Sequence, residues 1–190
     1  MDNKKSLVWV ALLLVGILAG AGILYQHLSG QINNSQIAET DQVGQVEAPQ
    51  YQAAPDFTIY DIDQNEICLS DFIGKPVILN FWASWCGPCK SEMDDFEQAY
   101  QIYGEDIVFL MINMTDGSRE TVKTASEFIG EKGYTFPVYY DVTYSAVNAY
   151  GVRSLPTSYF VDANGDLIAY ANGAIDLELI EKGIGMITKE

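Results

Sequence analysis

The sequence predicts an α/β sandwich built on a mixed sheet, and three observations predict it. Two runs, Val77–Trp82 (VILNFW) and Ile107–Asn113 (IVFLMIN), are almost continuously apolar, as strands buried on both faces are. A helical stretch follows each of them. The chain then closes with Thr157–Asp162, the turn Asn164-Gly165 and Leu167–Ala171, which read as a β-hairpin. Strands that alternate with helices and end in a hairpin pack as layers around such a sheet.

Taken in order, the first element is not part of that sandwich. Leu7–Tyr25 (LVWVALLLVGILAGAGILY) runs nineteen residues without a charge. A helix of that length spans roughly 30 Å, the thickness of a bilayer's hydrocarbon. Lys4 and Lys5 precede it, and no Lys or Arg follows until Lys75. This asymmetry predicts one transmembrane helix within residues 1–25, with a cytoplasmic N-terminus and the rest outside. The small residues Ala19 to Gly22 leave a cleaved signal peptide as the alternative. The apolar run continues past them through Ile23 and Leu24, which favours the anchor. Residues 26–53 are rich in Gln, Asn, Ser and Gly and read as a flexible linker. His27, the only histidine, reads as a polar residue at the membrane edge.

Residues 54–190 form the predicted domain. Strands are expected at Phe57–Tyr60 and Glu66–Leu69, joined by the turn Asp63-Gln64-Asn65. After the strand Val77–Trp82 comes a helix from Cys86 to Tyr103. After Ile107–Asn113 comes an amphipathic helix from Ser118 to Lys132, with Val122, Ala125, Phe128 and Ile129 on one face. Val138–Tyr140 is strand-like, and a short helix is expected over Tyr144–Tyr150. Asp176 caps a last helix reaching Thr188. Asp61-Ile62-Asp63 and Asp162-Ala163-Asn164 begin like calcium loops, but Glu66 and Leu167 stand where the sharp turn needs Gly. They read as hairpin turns. Asn33-Asn34-Ser35 and Asn113-Met114-Thr115 fit the short glycosylation pattern.

Composition excludes several functions. Ten basic residues face 26 acidic ones, for a net charge of −16 and a pI near 4.1. Such a chain cannot neutralise a phosphate backbone and is not a nucleic-acid binder. Three cysteines and one histidine are too few for a disulfide scaffold or a His-rich metal site.

The chemistry concentrates in Trp85-Cys86-Gly87-Pro88-Cys89-Lys90, a Cys-x-x-Cys that follows a buried strand and opens a helix. Two intervening residues at a helix start bring the sulfurs within disulfide range. Unpaired N–H groups and the positive end of the helix stabilise a thiolate at Cys86, the nucleophile of thiol–disulfide exchange. Cys89, one turn in, would resolve the mixed disulfide. Gly87 and Pro88 suit the tight loop, with Pro88 pre-set for the first helical turn, and Trp85 flanks the nucleophile. A zinc half-site would need further ligands, which Cys68 and His27 supply poorly. A structural disulfide closing so small a loop would constrain the unfolded chain little.

The segment Trp85–Lys90 resembles the thioredoxin active-site motif letter for letter. Arg153-Ser154-Leu155-Pro156-Thr157 is similar to the second family signature, in which a cis-proline faces the dithiol. Ala54-Pro55-Asp56-Phe57-Thr58 and the stretch Leu69–Val77 resemble the TlpA/ResA type of membrane-anchored, extracytoplasmic thioredoxin-like proteins. The resemblance implies a thioredoxin-like three-layer sandwich with an added N-terminal β-hairpin. It implies a thiol–disulfide oxidoreductase that reduces protein disulfides outside the membrane, fed by a transmembrane thiol carrier, with apocytochrome c among the family's clients. It places client binding at Trp85, Gly87, Pro88, Leu155, Pro156 and Thr157, with Leu155 offering its backbone to an extended peptide. It also puts Glu92 beside the dithiol as a proton relay for Cys89, against the plainer reading of a solvated helix residue. The reading calls for no metal and no cofactor beyond the Cys86–Cys89 pair.

Two departures qualify the resemblance. Asn80 stands where thioredoxins carry a buried acid, and Asp94 follows Glu92-Met93 where a proline is common. Cys68, between Ile67 and Leu69, points away from their side and reads as an inert half-buried thiol. Three alternatives to a reductant remain: an exported oxidase or isomerase, a redox-sensing client-binding module, and a thiol peroxidase. The last lacks the Pro-x-x-x-Thr-x-x-Cys context of peroxiredoxins.

Overall fold

The structure, a computed structural model, describes residues 51–188. The expected membrane segment, His27, Asn33-Asn34-Ser35 and the linker up to residue 50 lie outside the described residues. Among the described residues no helix is long and apolar enough to cross a membrane.

Eight strands form one sheet: β1 (Gln52–Ala53), β2 (Thr58–Tyr60), β3 (Glu66–Cys68), β4 (Val77–Trp82), β5 (Val108–Asn113), β6 (Val138–Tyr140), β7 (Thr157–Val161) and β8 (Asp166–Asn172). Their order is β1-β8-β7-β4-β5-β6-β2-β3. The β4–β5 and β5–β6 pairs are parallel and the others antiparallel, so the sheet is mixed, as expected. Four helices pack on it: α1 (Gly87–Tyr103), α2 (Val122–Lys132), α3 (Ser145–Ala149) and α4 (Leu177–Ile187).

Alternation along β4 divides the interior in two. Ile78 and Trp82 face a core with Met93 and Phe96 of α1, Ala125 of α2 and Ile180 and Ile184 of α4. Val77, Leu79 and Phe81 face the other core, with Phe57, Ile59, Leu110, Ile112 and Val147 of α3. All six residues of β4 are buried, which is why the run is apolar on both faces. Asn80 is the exception, and it lies on the α1 side.

Three of the differences from the expected boundaries are informative. Gln52 and Ala53, assigned to the linker, form β1 by pairing with Leu167 and Asp166; two residues carry no period that a sequence could show. Leu69 leaves the third strand and opens a 3-10 turn, Leu69–Phe72, whose Asp71 carboxylate accepts from the N–H of the capping residue Cys68 at 2.8 Å. The helix expected from Ser118 starts only at Val122, capped by Thr121, whose hydroxyl accepts from the Thr124 N–H at 3.1 Å. Residues Thr115 to Glu120 instead make a loop at the end of β5.

Strand direction gives the sheet two distinct ends. The C-terminal ends of β4 and β5 and the start of β7 lie at one, since Phe81 is opposite Thr157 and Trp82 opposite Asn113. β1 pairs with the first residues of β8, at the other end.

Gly183 of α4 lies against Phe160, whose ring would overlap any Cβ at that position. Gly183→Ala is expected to destabilise the fold by about 2 kcal/mol through overpacking, measured as a lowered midpoint in chemical denaturation.

Candidate active site

β4 delivers the chain to the dithiol. Its edge neighbours hold the exit: the Cys86 N–H donates to Ala83 O at 3.1 Å and the Met114 N–H to Trp82 O at 2.9 Å. Cys86 is the N-cap of α1 rather than its first residue, in extended conformation, and Pro88 occupies the first turn. Cys86 and Cys89 form a disulfide across a Cα separation of 5.3 Å. The Cys89 N–H donates to Cys86 Sγ at 3.2 Å. The cap position of Cys86 thus aims an otherwise unpaired helix N–H at its sulfur. Cys86 is 3% exposed and Cys89 fully enclosed, while Gly87 and Pro88 are exposed and Trp85 is 37% exposed.

Glu92 follows Cys89 by three residues, which puts the two one turn apart on α1. It is 1% exposed, not solvated. Asn80 Nδ2 donates to its Oε1 at 2.8 Å, and the Ile175 N–H donates to its Oε2 at 3.0 Å. Burial pushes its carboxyl up to about 7, against the pull of these two donors. Asn80 Nδ2 also donates to Ser158 Oγ at 3.0 Å, so the amide is held between β7 and α1. The departure at position 80 therefore supplies the fixed donor that a buried Glu92 requires.

The Leu155–Pro156 peptide is cis, as expected. Because Thr157 pairs with Phe81, this segment lies at the same end of the sheet as the dithiol. Thr157 is buried, and its hydroxyl donates to Ser154 O at 2.8 Å and Asn172 Oδ1 at 3.1 Å. Its side chain braces the loop, leaving Leu155 half-buried at the surface.

Two residues of this neighbourhood escaped the sequence reading. Glu120 is fully buried; Ser84 donates to it through its N–H (2.9 Å) and hydroxyl (2.7 Å), and Asn113 Nδ2 donates at 2.7 Å. Asn113, whose triplet fits the short glycosylation pattern, is itself wholly enclosed, and its Oδ1 accepts from the Thr115 hydroxyl at 2.8 Å. Next to Glu120, the Arg119 guanidinium lies 3.7 Å from the centre of the Trp85 ring. An acid two residues before an amphipathic face was the available signal, but an N-terminal helix position explained it equally well.

Elsewhere, Cys68 is a free, half-buried thiol beside the Thr58 hydroxyl at 3.6 Å. The carboxylates of Asp61 and Asp162 accept from N–H groups of their own turns, as hairpin turns require. A cavity of about 460 Å³, lined by Pro76, Asp106 and Asp162 among others, lies at the end of the sheet remote from the dithiol. Trp85, Gly87 and Pro88 present the rim of the buried dithiol to solvent, which suits a macromolecular substrate.

Residues 51–170 match the AhpC/TSA family. The thiol-disulfide oxidoreductase ResA of Oceanobacillus iheyensis is 38% identical over 133 residues, 68% of each chain. The protein of the same name from Bacillus thuringiensis is 31% identical over 187 residues, covering 97% of this chain and 99% of the relative. Among solved structures, the pneumococcal exposed lipoprotein thioredoxin Etrx1 of Streptococcus pneumoniae superposes with a TM-score of 0.58 at 32% identity, over 68% of this chain and 98% of that one.

Proposed function

We propose, for a chain that belongs to the AhpC/TSA family and is a thiol–disulfide oxidoreductase of the ResA type, that it works as a reductant of protein disulfides outside the cytoplasmic membrane. Leu7–Tyr25 is its anchor in this reading, a transmembrane thiol carrier its electron source, and apocytochrome c one client class. The Cys86 thiolate attacks one sulfur of the client disulfide, forming a Cys86–client bond and expelling the other client thiolate. Cys89, its proton taken by Glu92, then attacks Cys86 Sγ. The Cys86–Cys89 disulfide forms and the second client thiol leaves, so two electrons pass to the client. Trp85, Gly87, Pro88 and the Leu155–Pro156 segment flank the attacked bond.

The observation that carries this reading is the asymmetry of the pair: Cys86 Sγ caps the helix and accepts the Cys89 N–H, while Cys89 is enclosed one turn from the buried carboxyl of Glu92. The direction of electron flow is tested by the reduction potential of Cys86–Cys89 in the full chain, purified in detergent and equilibrated in dithiol buffers. A value near ~−270 mV or lower is expected of a reductase. A value of about −120 to −180 mV, the range of strong oxidants and isomerases, reverses the direction and favours an exported oxidase or isomerase.

A further inference from the structure

We infer that Arg119 is a specificity residue that selects client segments carrying a carboxylate beside the disulfide under attack. The inference rests on the exchange reaction proposed above.

The guanidinium lies 3.7 Å from the centre of the Trp85 ring, and Trp85 immediately precedes the nucleophile. Stacking on the ring fixes the plane of the fork but occupies none of its N–H groups. Among the described residues the Arg119 guanidinium has no hydrogen-bond or salt-bridge partner; Lys123–Glu127 is the ion pair found there. Asp116 of the same loop feels the Arg119 charge, which helps hold its carboxyl low, but its Oδ1 accepts from the N–H groups of Ser118 (2.7 Å) and Glu120 (2.9 Å) and it forms no salt bridge with the guanidinium. A planar fork of donors therefore faces outward next to Cys86, and the group that matches it bidentately is a carboxylate.

The fork is also held in place from below. Glu120, the next residue, is fully buried and joins Ser84 of the dithiol loop to Asn113 of β5 through three hydrogen bonds. The backbone at Arg119 is thus anchored beside the dithiol loop, and its side chain is held there by the Trp85 ring. This preorganisation separates it from an ordinary surface arginine.

Charge distribution agrees. The chain carries 26 acidic against ten basic residues, a field that repels acidic clients at long range. Yet exposed basic residues neighbour the dithiol segments in the chain: Lys90 after Cys89, its ammonium over the Phe128 ring, Arg119 on Trp85, and Arg153 before Leu155-Pro156. A local positive rim in an acidic molecule selects for a negative group at the docking point.

The test uses the reduced full chain in detergent and two cyclic peptides whose disulfide is flanked by Glu or by Gln. Each rate is divided by that peptide's rate with dithiothreitol, which removes the intrinsic effect of the neighbouring charge. The wild-type protein is expected to favour the Glu peptide about two- to fivefold, the scale of a partly exposed ion pair. Added salt should shrink that preference, and Arg119→Gln should abolish it while Arg119→Lys keeps a ratio above one. A wild-type ratio at or below one overturns the inference, as does a salt-insensitive ratio or one that survives in Arg119→Gln. If the wild-type protein reduces neither peptide, the exchange reading itself fails, an outcome distinct from either of these.

Discussion

Full-length protein carrying Cys89→Ser is expected to accumulate as a covalent adduct with its clients, while its turnover falls to background. With the resolving thiol gone, the Cys86–client bond has no internal attacker. The adduct should appear as a reducible band of higher mass on non-reducing gels. Cys86→Ser, alone or combined with Cys89→Ser, should give none, because the enclosed Cys89 cannot meet a macromolecule. Adducts that persist in the double variant, Cys86→Ser with Cys89→Ser, would assign the nucleophile to Cys68, the thiol left there. A client-binding module without exchange would instead retain the same clients, non-covalently, in every variant. The experiment therefore separates a catalyst from a holdase as well as ordering the two sulfurs.

The second large effect belongs to Glu92. In the oxidised protein its carboxyl is raised from 4.5 to about 7 by burial. Below pH 4.5 it is protonated both folded and unfolded, and the enclosed neutral form contributes its full stability. As the pH rises toward 7 the unfolded chain releases this proton while the folded protein keeps it, so stability falls; above about 7 the loss is complete. The shift corresponds to about 3 kcal/mol across that window. Denaturant titrations of the oxidised protein at pH 4 and pH 8 should show it, and Glu92→Gln should remove this part of the pH dependence. A Gln amide still accepts from Asn80 or Ile175, so the fold is retained. In the reduced protein the same substitution should slow resolution of the mixed disulfide, because the proton of Cys89 loses its acceptor. A pH profile of stability identical in both proteins would place the titration elsewhere.

The parts of this molecule that could be read from the sequence are those written in consecutive residues. The strand-to-helix position of the dithiol follows from VILNFW running into Cys86, the closing hairpin from Asn164-Gly165, and the proline turn from its five-residue signature. Glu92 was legible as a candidate but not as a buried group, because its helix carries exposed acids at neighbouring positions and only Asn80 and the Ile175 N–H, from distant segments, reveal its setting. Glu120 and Arg119 were not legible at all. Their meaning depends on Ser84, Trp85 and Asn113, which the parallel pairing of β4 and β5 brings together. Helical periodicity extended α2 backward over Ser118–Glu120, since a loop held by side chains leaves no pattern of its own.

The pairing of β1 with the first residues of β8 sets where the preceding chain meets the domain. That junction is at the opposite end of the sheet from Cys86, Trp85 and Leu155-Pro156. β1 is antiparallel to β8 and forms the outermost strand on that side of the sheet. A shortened chain that starts after Ala53 would lose this strand and bare the edge of β8 to pairing with another molecule, so β1 belongs in any form of the domain that is to stay monomeric.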